Sequence, residues 1–201
     1  MPSRVAVFVD GGYFDHVLRD LKLIGKLDYG AFFARLCGDT EMMRAHYYHC
    51  LPYQFAEPTA EDAERFSRME KFLASLDRLP RTTVRKGMLA FRGRGQDGRP
   101  IFVQKRVDSL IATDLVMLSA KHLITEAVIV TGDSDLLPPI QIAKDEGVVV
   151  RLAHGLKSNY PHKDLWDLAD ERQPLTAEWL AHCLSPTLPP AAGSEAPTAA
   201  T

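Results

Sequence analysis

The sequence predicts a three-layer α/β/α fold, with a mostly parallel central sheet and helices on both faces. Two observations carry this. The runs "RVAVFV" (4–9), "EAVIVT" (126–131) and "VVVRLA" (148–153) are nearly continuous apolar stretches, the pattern of strands buried on both faces. Segments with helical spacing separate them, and strands that alternate with helices close into parallel sheets through crossover connections.

Taken in order, the first strand (4–9) runs into "GYFDHVLRDLKL" at helical spacing, and "DYGAFFARLCG" reads as a short helix closed by glycine. "RAHYYHCLPY" (44–53) is expected to be a strand. From Pro58 to Leu79 a charged helix carries Phe66, Met69, Phe72, Leu73 and Leu76 on one stripe. "TTVRKGMLAFR" (82–92) reads as a strand that turns through "GRGQDGRP" and returns as "IFVQK", because Asp-Gly is a hairpin signal. A helix over about 108–122, the strand 126–131, a helix to Glu146 and the strand 148–153 follow, and "HKDLWDLAD" and "TAEWLAHCL" read as closing helices. Residues 1–184 are expected to form one domain, and the Pro- and Ala-rich stretch 185–201 a disordered tail.

A chain of 201 residues with 46% hydrophobic and 25% charged content is that of an ordinary globular domain. The net charge of −2 gives no global argument for nucleic acid or membrane, so charge has to be read locally. No run approaches the roughly eighteen apolar residues of a transmembrane helix. The N-terminal apolar run is too short for a signal peptide. Cys37, Cys50 and Cys183 show neither a disulfide framework nor a metal spacing, which points to a reducing cytoplasm.

Chemistry enters with the carboxylates. In an open α/β sheet, ligands bind beyond the carboxyl ends of the strands, where strand order reverses. Asp10 follows the first buried strand, and Asp133 and Asp135 follow "AVIVT". Each alone is ordinary, since Asp is common at strand ends and helix caps. If the two strands are neighbours, three carboxylates converge. Asp108 stands where an N-cap of the next helix would be, whereas Val107, Ile111, Asp114 and Leu118 share helical spacing, which puts Asp114 within an apolar stripe. A lone buried carboxylate needs a partner. Clustered carboxylates repel, and a hard divalent cation, Mg²⁺ or Mn²⁺, resolves the conflict. Such a site suits phosphodiester chemistry, although phosphatases and sugar-nucleotide enzymes also cluster aspartates.

Between Arg78 and Arg106 nine basic residues, among them Arg85, Lys86, Arg92, Arg94, Arg99, Lys105 and Arg106, face a single acid, Asp97. The plain reading is a solvated hairpin. The functional reading is a surface that tracks an RNA backbone into the acidic site. Phe91 and Phe102 could stack bases, but strand aromatics more often build a core. "HYYHC" is unsuited to zinc, because His46 and Cys50 face one side of a strand and His49 the other. No P-loop or dinucleotide-binding loop is present. A phosphatase of the haloacid-dehalogenase type would want an Asp at residue 12, which is Gly.

Three segments, "VFVDGGYFDHVL", "KRVDSLIATDLVMLS" and "AVIVTGDSDLLPPIQIAKDEGVVVRL", resemble in order and spacing the NYN domain family, the LabA-like (DUF88) members of the PIN-like nuclease superfamily. "HKDLWDLADE" looks like that family's closing segment, so the resemblance covers about 4–172. It implies a PIN-like fold and Mg²⁺- or Mn²⁺-dependent cleavage of RNA by an activated water. It also implies Asp10, Asp108 and Asp133 as metal ligands, Asp114 and Asp135 as supporting members, and Lys105 as a phosphate contact. A homodimer would be unsurprising for the family. The sequence departs from the family at Tyr13, where many members carry an Asn three residues after the first Asp. That departure supports an alternative, an RNA-binding or regulatory protein with little or no catalysis.

Overall fold

The structure, a computed structural model, describes residues 2–185. The tail expected over 185–201 therefore lies, apart from Ser185, outside the described residues.

Seven strands form one sheet in the order β4-β3-β2-β1-β5-β6-β7. They are β1 (Arg4–Asp10), β2 (Glu41–Cys50), β3 (Thr82–Arg94), β4 (Pro100–Lys105), β5 (Glu126–Val130), β6 (Val149–His154) and β7 (Glu171–Pro174). All neighbours run parallel except β3 and β4, which form an antiparallel hairpin. From β1 the chain first winds outward through β2 to β4, and then returns to the other side of β1 with β5. The switch point thus lies between β1 and β5.

The helices are α1 (Gly11–Leu21), α2 (Tyr29–Cys37), α3 (Ala60–Asp77), α4 (Val107–Ala120), α5 (Leu137–Asp145), α6 (Lys163–Leu168) and α7 (Ala177–Ala181). Val5, Val7 and Val9 of β1 pack with Phe14, Phe32 and Leu73 on one side of the sheet. Ala6 and Phe8 pack with Ile111, Leu115 and Ile140 on the other. Val5 to Val9 are all fully buried, which is why the run is apolar without alternation. Each such side chain contributes about 1.5–3 kcal/mol of burial.

Local signals set the helix ends. Asp10 and Asp28 cap α1 and α2, and Thr59 and Asp62 form a reciprocal capping box on α3. Pro138 and Pro139 occupy the first turn of α5, where a missing N–H costs nothing.

Four expectations need correction. The sequence reading missed β7, because Glu-Arg-Gln-Pro has no apolar residue; it is a short edge strand held beside β6, where Arg151 Nε donates to Glu171 at 2.8 Å. The strand read as 44–53 spans Glu41–Cys50, and Pro52 follows it as a residue with no N–H to give. The closing helices are shorter than read, at Lys163–Leu168 and Ala177–Ala181. Asp108 is not an N-cap, since Arg106 fills that position with a left-handed backbone (φ 76°) and no side-chain bond.

Candidate functional site

β2 pairs with β3 only as far as Cys50 opposite Gly87. Beyond that point Met88 to Arg94 pair with β4 alone, so the hairpin projects past the carboxyl edge of the sheet as a two-stranded ribbon. It returns the chain through Lys105 into α4. This brings Asp108 back to the edge where β1 and β5 end.

Asp10 is buried at the end of β1, and its Oδ1 accepts the Tyr13 N–H at 3.1 Å. Burial pushes its carboxyl up to about 6, against that hydrogen bond, and the Asp108 charge raises it further. Burial also raises Asp108, followed by the charges of Asp133 and Asp135. Asp108 is thus the electrostatic link between the β1 and β5 ends. Asp133 Oδ1 accepts the Asp135 N–H at 2.9 Å, and the Asp133 N–H in turn donates to Thr131 Oγ1 at 3.2 Å. Asp133, rather than Asp135, is therefore the capping residue of the 3₁₀ turn Ser134–Leu136 that leads into α5. Among the described residues, none of these four carboxylates is in an ion pair.

Asp10 and Asp133 line a cleft of about 520 Å³ together with Gly12, Gln104, Asn159 and Tyr160. A cavity of about 550 Å³ on the α1–α3 side is lined by leucines, and its one acid, Asp28, caps α2. The acidic cleft is the one suited to chemistry.

Asp114 is brought elsewhere. It is 4% exposed, as its place in the apolar stripe requires. Its carboxylate accepts the Tyr48 hydroxyl at 2.9 Å and a bidentate pair from Arg85 Nε and Nη2, both at 3.1 Å. His46 Nδ1 lies 3.6 Å away, and burial holds its pKa below the usual imidazole range. Asp114 and Arg85 therefore satisfy one another under β2 and β3. Arg85, expected to track RNA, has its guanidinium fork committed to this carboxylate.

The other basic positions divide. Arg94 donates to the Gly98 carbonyl at 2.9 Å, and Arg99 pairs with Asp97 at 3.5 Å on the exposed turn. Lys86, Arg92, Lys105 and Arg106 have no ion pair among the described residues. Phe91 and Phe102 pack at 6.0 Å on each other and join Tyr53 and Phe55 in a small aromatic cluster. The cluster lies on the ribbon, outside both hydrophobic cores, and Phe91 is exposed.

Tyr13 has a structural task. Its hydroxyl donates to the Asn159 carbonyl at 2.6 Å and accepts the Gly155 N–H at 2.8 Å. A Cβ on Gly132 would meet the Tyr13 ring at 2.6 Å, so the glycine before Asp133 admits this strut. On the other side of β2, His49 Nε2 meets Asp15 at 3.0 Å and Nδ1 meets the Cys50 carbonyl at 2.8 Å. Both partners are acceptors, so the two bonds are made together when both nitrogens carry protons. Burial opposes that charge, but the Asp15 bond and the carbonyl outweigh it and raise the histidine's pKa. The ring lies directly under Gly11, whose Cβ would come within 2.5 Å of it, and its charge acts to lower the Asp10 carboxyl.

Sequence reasoning missed Gln104, Asn159 and Tyr160. Gln104 reaches the β1–α1 turn, where its Nε2 would lie 2.7 Å from a Cβ on Gly12. It is an exposed polar residue of a hairpin strand, and nothing in its local sequence marks it.

The chemistry of the donors fits a hard cation. They are carboxylate oxygens from separate elements; burial raises Asp10 and Asp108, and none of the four is in an ion pair among the described residues. Among the described residues no three acidic, imidazole or thiol groups are gathered closely enough to enclose an ion.

Fold and cleft together define an α/β protein with a carboxylate-lined site at the switch point of a doubly wound sheet. Within that class the chain belongs to the NYN domain family, a family of PIN-like nucleases, whose model matches residues 4–172. The fold is similar to that of a crystallised protein of unknown function, VPA0982 from Vibrio parahaemolyticus RIMD 2210633, with a TM-score of 0.54 and 18% identity. That likeness covers 87% of this chain and 93% of the other, and it concerns the fold alone. An uncharacterized protein, y4oD of Sinorhizobium fredii (strain NBRC 101917 / NGR234), is 49% identical over 49 residues. The matched stretch spans 24% of this chain and only 23% of that relative. No helix among the described residues is long and apolar enough to cross a membrane.

Proposed function

We propose that the protein is a cytoplasmic, Mg²⁺- or Mn²⁺-dependent endoribonuclease that hydrolyses RNA phosphodiester bonds in the cleft between β1 and β5. What supports this reading is that Asp10 and Asp133 line one cleft at the switch point, that Asp108 lies near enough for its charge to raise Asp10, and that none of the three is in an ion pair among the described residues. When bound, the metal would lower the pKa of a water and offset charge developing on the phosphoryl group.

The chain's own residues prepare that site. Asp10 is fixed by the Tyr13 N–H, and Asp133 by the Asp135 N–H. Asp10, Asp108 and Asp133 would hold the cation, and Asp135 adds negative charge beside them. Lys105 ends β4 and Arg106 precedes α4, Lys86 lies in the part of β3 that pairs with β2, and Arg92 lies on the projecting ribbon. They would dock phosphates, with salt-sensitive and largely sequence-independent affinity. Asp114 supports the scaffold through Arg85 and Tyr48.

A second reading, an RNA-binding protein without cleavage, has one observation in its favour. The Tyr13 hydroxyl, which stands in place of the family's frequent Asn, is engaged by backbone on both sides. Incubation of labelled RNA with the protein in Mn²⁺ and in EDTA separates the two. Cleavage in Mn²⁺, its loss in EDTA, and its loss in folded Asp10→Asn and Asp133→Asn support the nuclease. Manganese-dependent cleavage retained in both variants would overturn the assignment.

A further inference from the structure

The mouth of the acidic cleft carries an aromatic ring that the core does not use. Tyr160 lines the cleft with Asp10 and Asp133 and is 50% exposed. An exposed tyrosine alone is ordinary. This one is built into a stack. Its ring lies on Trp166 with centroids 5.1 Å apart and planes at 26°. His154 packs edge-on against both rings, at 5.4 Å from Tyr160 and 4.9 Å from Trp166. The Arg172 guanidinium lies 5.5 Å from the Trp166 centroid and is held there by Nε donating to the Trp166 carbonyl at 2.9 Å.

The backbone before Tyr160 is also fixed. Its N–H donates to the Lys157 carbonyl at 3.1 Å. The Asn159 carbonyl takes the Tyr13 hydroxyl, and the Asn159 side chain donates to Asp20 at 2.6 Å. The ring is therefore ordered in advance of any ligand. A stack of flat groups that is backed on one side and open toward a cleft is a surface for one more flat group. Stacking on it costs little side-chain entropy.

We propose that Tyr160, backed by Trp166, is a nucleobase platform beside the scissile phosphate. This rests on the nuclease reading and adds to it a base subsite. A base inside a duplex has both faces covered by its neighbours, whereas an unpaired one can turn onto the ring.

The test is equilibrium binding in EDTA, read by fluorescence anisotropy of a short labelled single-stranded RNA. Its comparisons are the same strand in a duplex and an abasic oligomer of equal charge. The wild-type protein should bind the single strand roughly 5- to 150-fold more tightly than the abasic oligomer, the range that one base–aromatic stack gives. Tyr160→Ala should lose a similar factor for the single strand, and Tyr160→Phe should retain wild-type affinity. Equal wild-type affinity for the abasic and intact strands would overturn the platform, and this comparison holds even if Tyr160→Ala fails to fold. Unchanged binding by folded Tyr160→Ala would also overturn it. If the wild type still cleaves RNA in Mn²⁺ in either case, only the platform falls. A wild-type protein that neither binds nor cleaves RNA would remove both proposals.

Discussion

Replacing Asp10 by Asn should make the metal-free protein more stable while removing its activity. Asp10 is buried, and its carboxyl is raised from 3.8 to about 6, chiefly by burial and further by Asp108. That difference corresponds to about 3 kcal/mol of penalty on the charged form in the fold. Hydration of the cleft makes this a ceiling. The sign follows from linkage. A folded carboxyl raised above its unfolded value contributes stability that is fully present below about 3.8 and lost as pH rises through about 6. Asn cannot ionise, and it keeps the oxygen that accepts the Tyr13 N–H. In EDTA at pH 7.5, Asp10→Asn should therefore raise the melting temperature by as much as about 6–12 °C for a chain of this length. The gain should shrink toward zero near pH 4. Saturating Mn²⁺ should narrow it from the other side, because only the wild type gains from binding. Thermal unfolding followed by circular dichroism measures this. An Asn variant less stable than wild type at pH 7.5, or a difference that does not change with pH, would refute the electrostatic account of the cleft.

Two further substitutions test the scaffold. Asp114→Ala should cost about 2–4 kcal/mol in urea unfolding, because the buried Tyr48 hydroxyl loses its acceptor and Arg85 its carboxylate, the latter discounted for partial exposure. The folded fraction should still cleave, and lost cleavage at unchanged stability would return Asp114 to the site. Gly132→Ala should cost about 1–3 kcal/mol, because the new Cβ would press on a Tyr13 ring pinned at its hydroxyl. Adding Tyr13→Ala should recover part of that loss, and a neutral single variant would show that the strut is slack.

Much of the fold was legible because burial dictates composition. The fully buried strands β1 and β5 announce themselves as unbroken apolar runs, and Asp10 and Asp133 are conspicuous because each ends such a run. Asp114 was legible as buried but not as to its partners. Those come from Tyr48 and Arg85, 66 and 29 residues away, and only the strand order brings them together. Arg85 was misread for the same reason, since on a hairpin rich in cations nothing local separates a paired arginine from an unpaired one. β7 left no apolar trace, and Gln104 and Tyr160 are polar or exposed residues that become notable only beside the cleft.

The most direct test of the central claim is calorimetric titration of Mn²⁺ into the wild-type protein and into Asp133→Asn. The account expects a saturable site in the wild type, with protons released as pH falls toward 6 because Asp10 must ionise to bind. The same titration should show markedly weaker binding in the variant. No saturable binding by the wild type, or equal binding by folded Asp133→Asn, would contradict it.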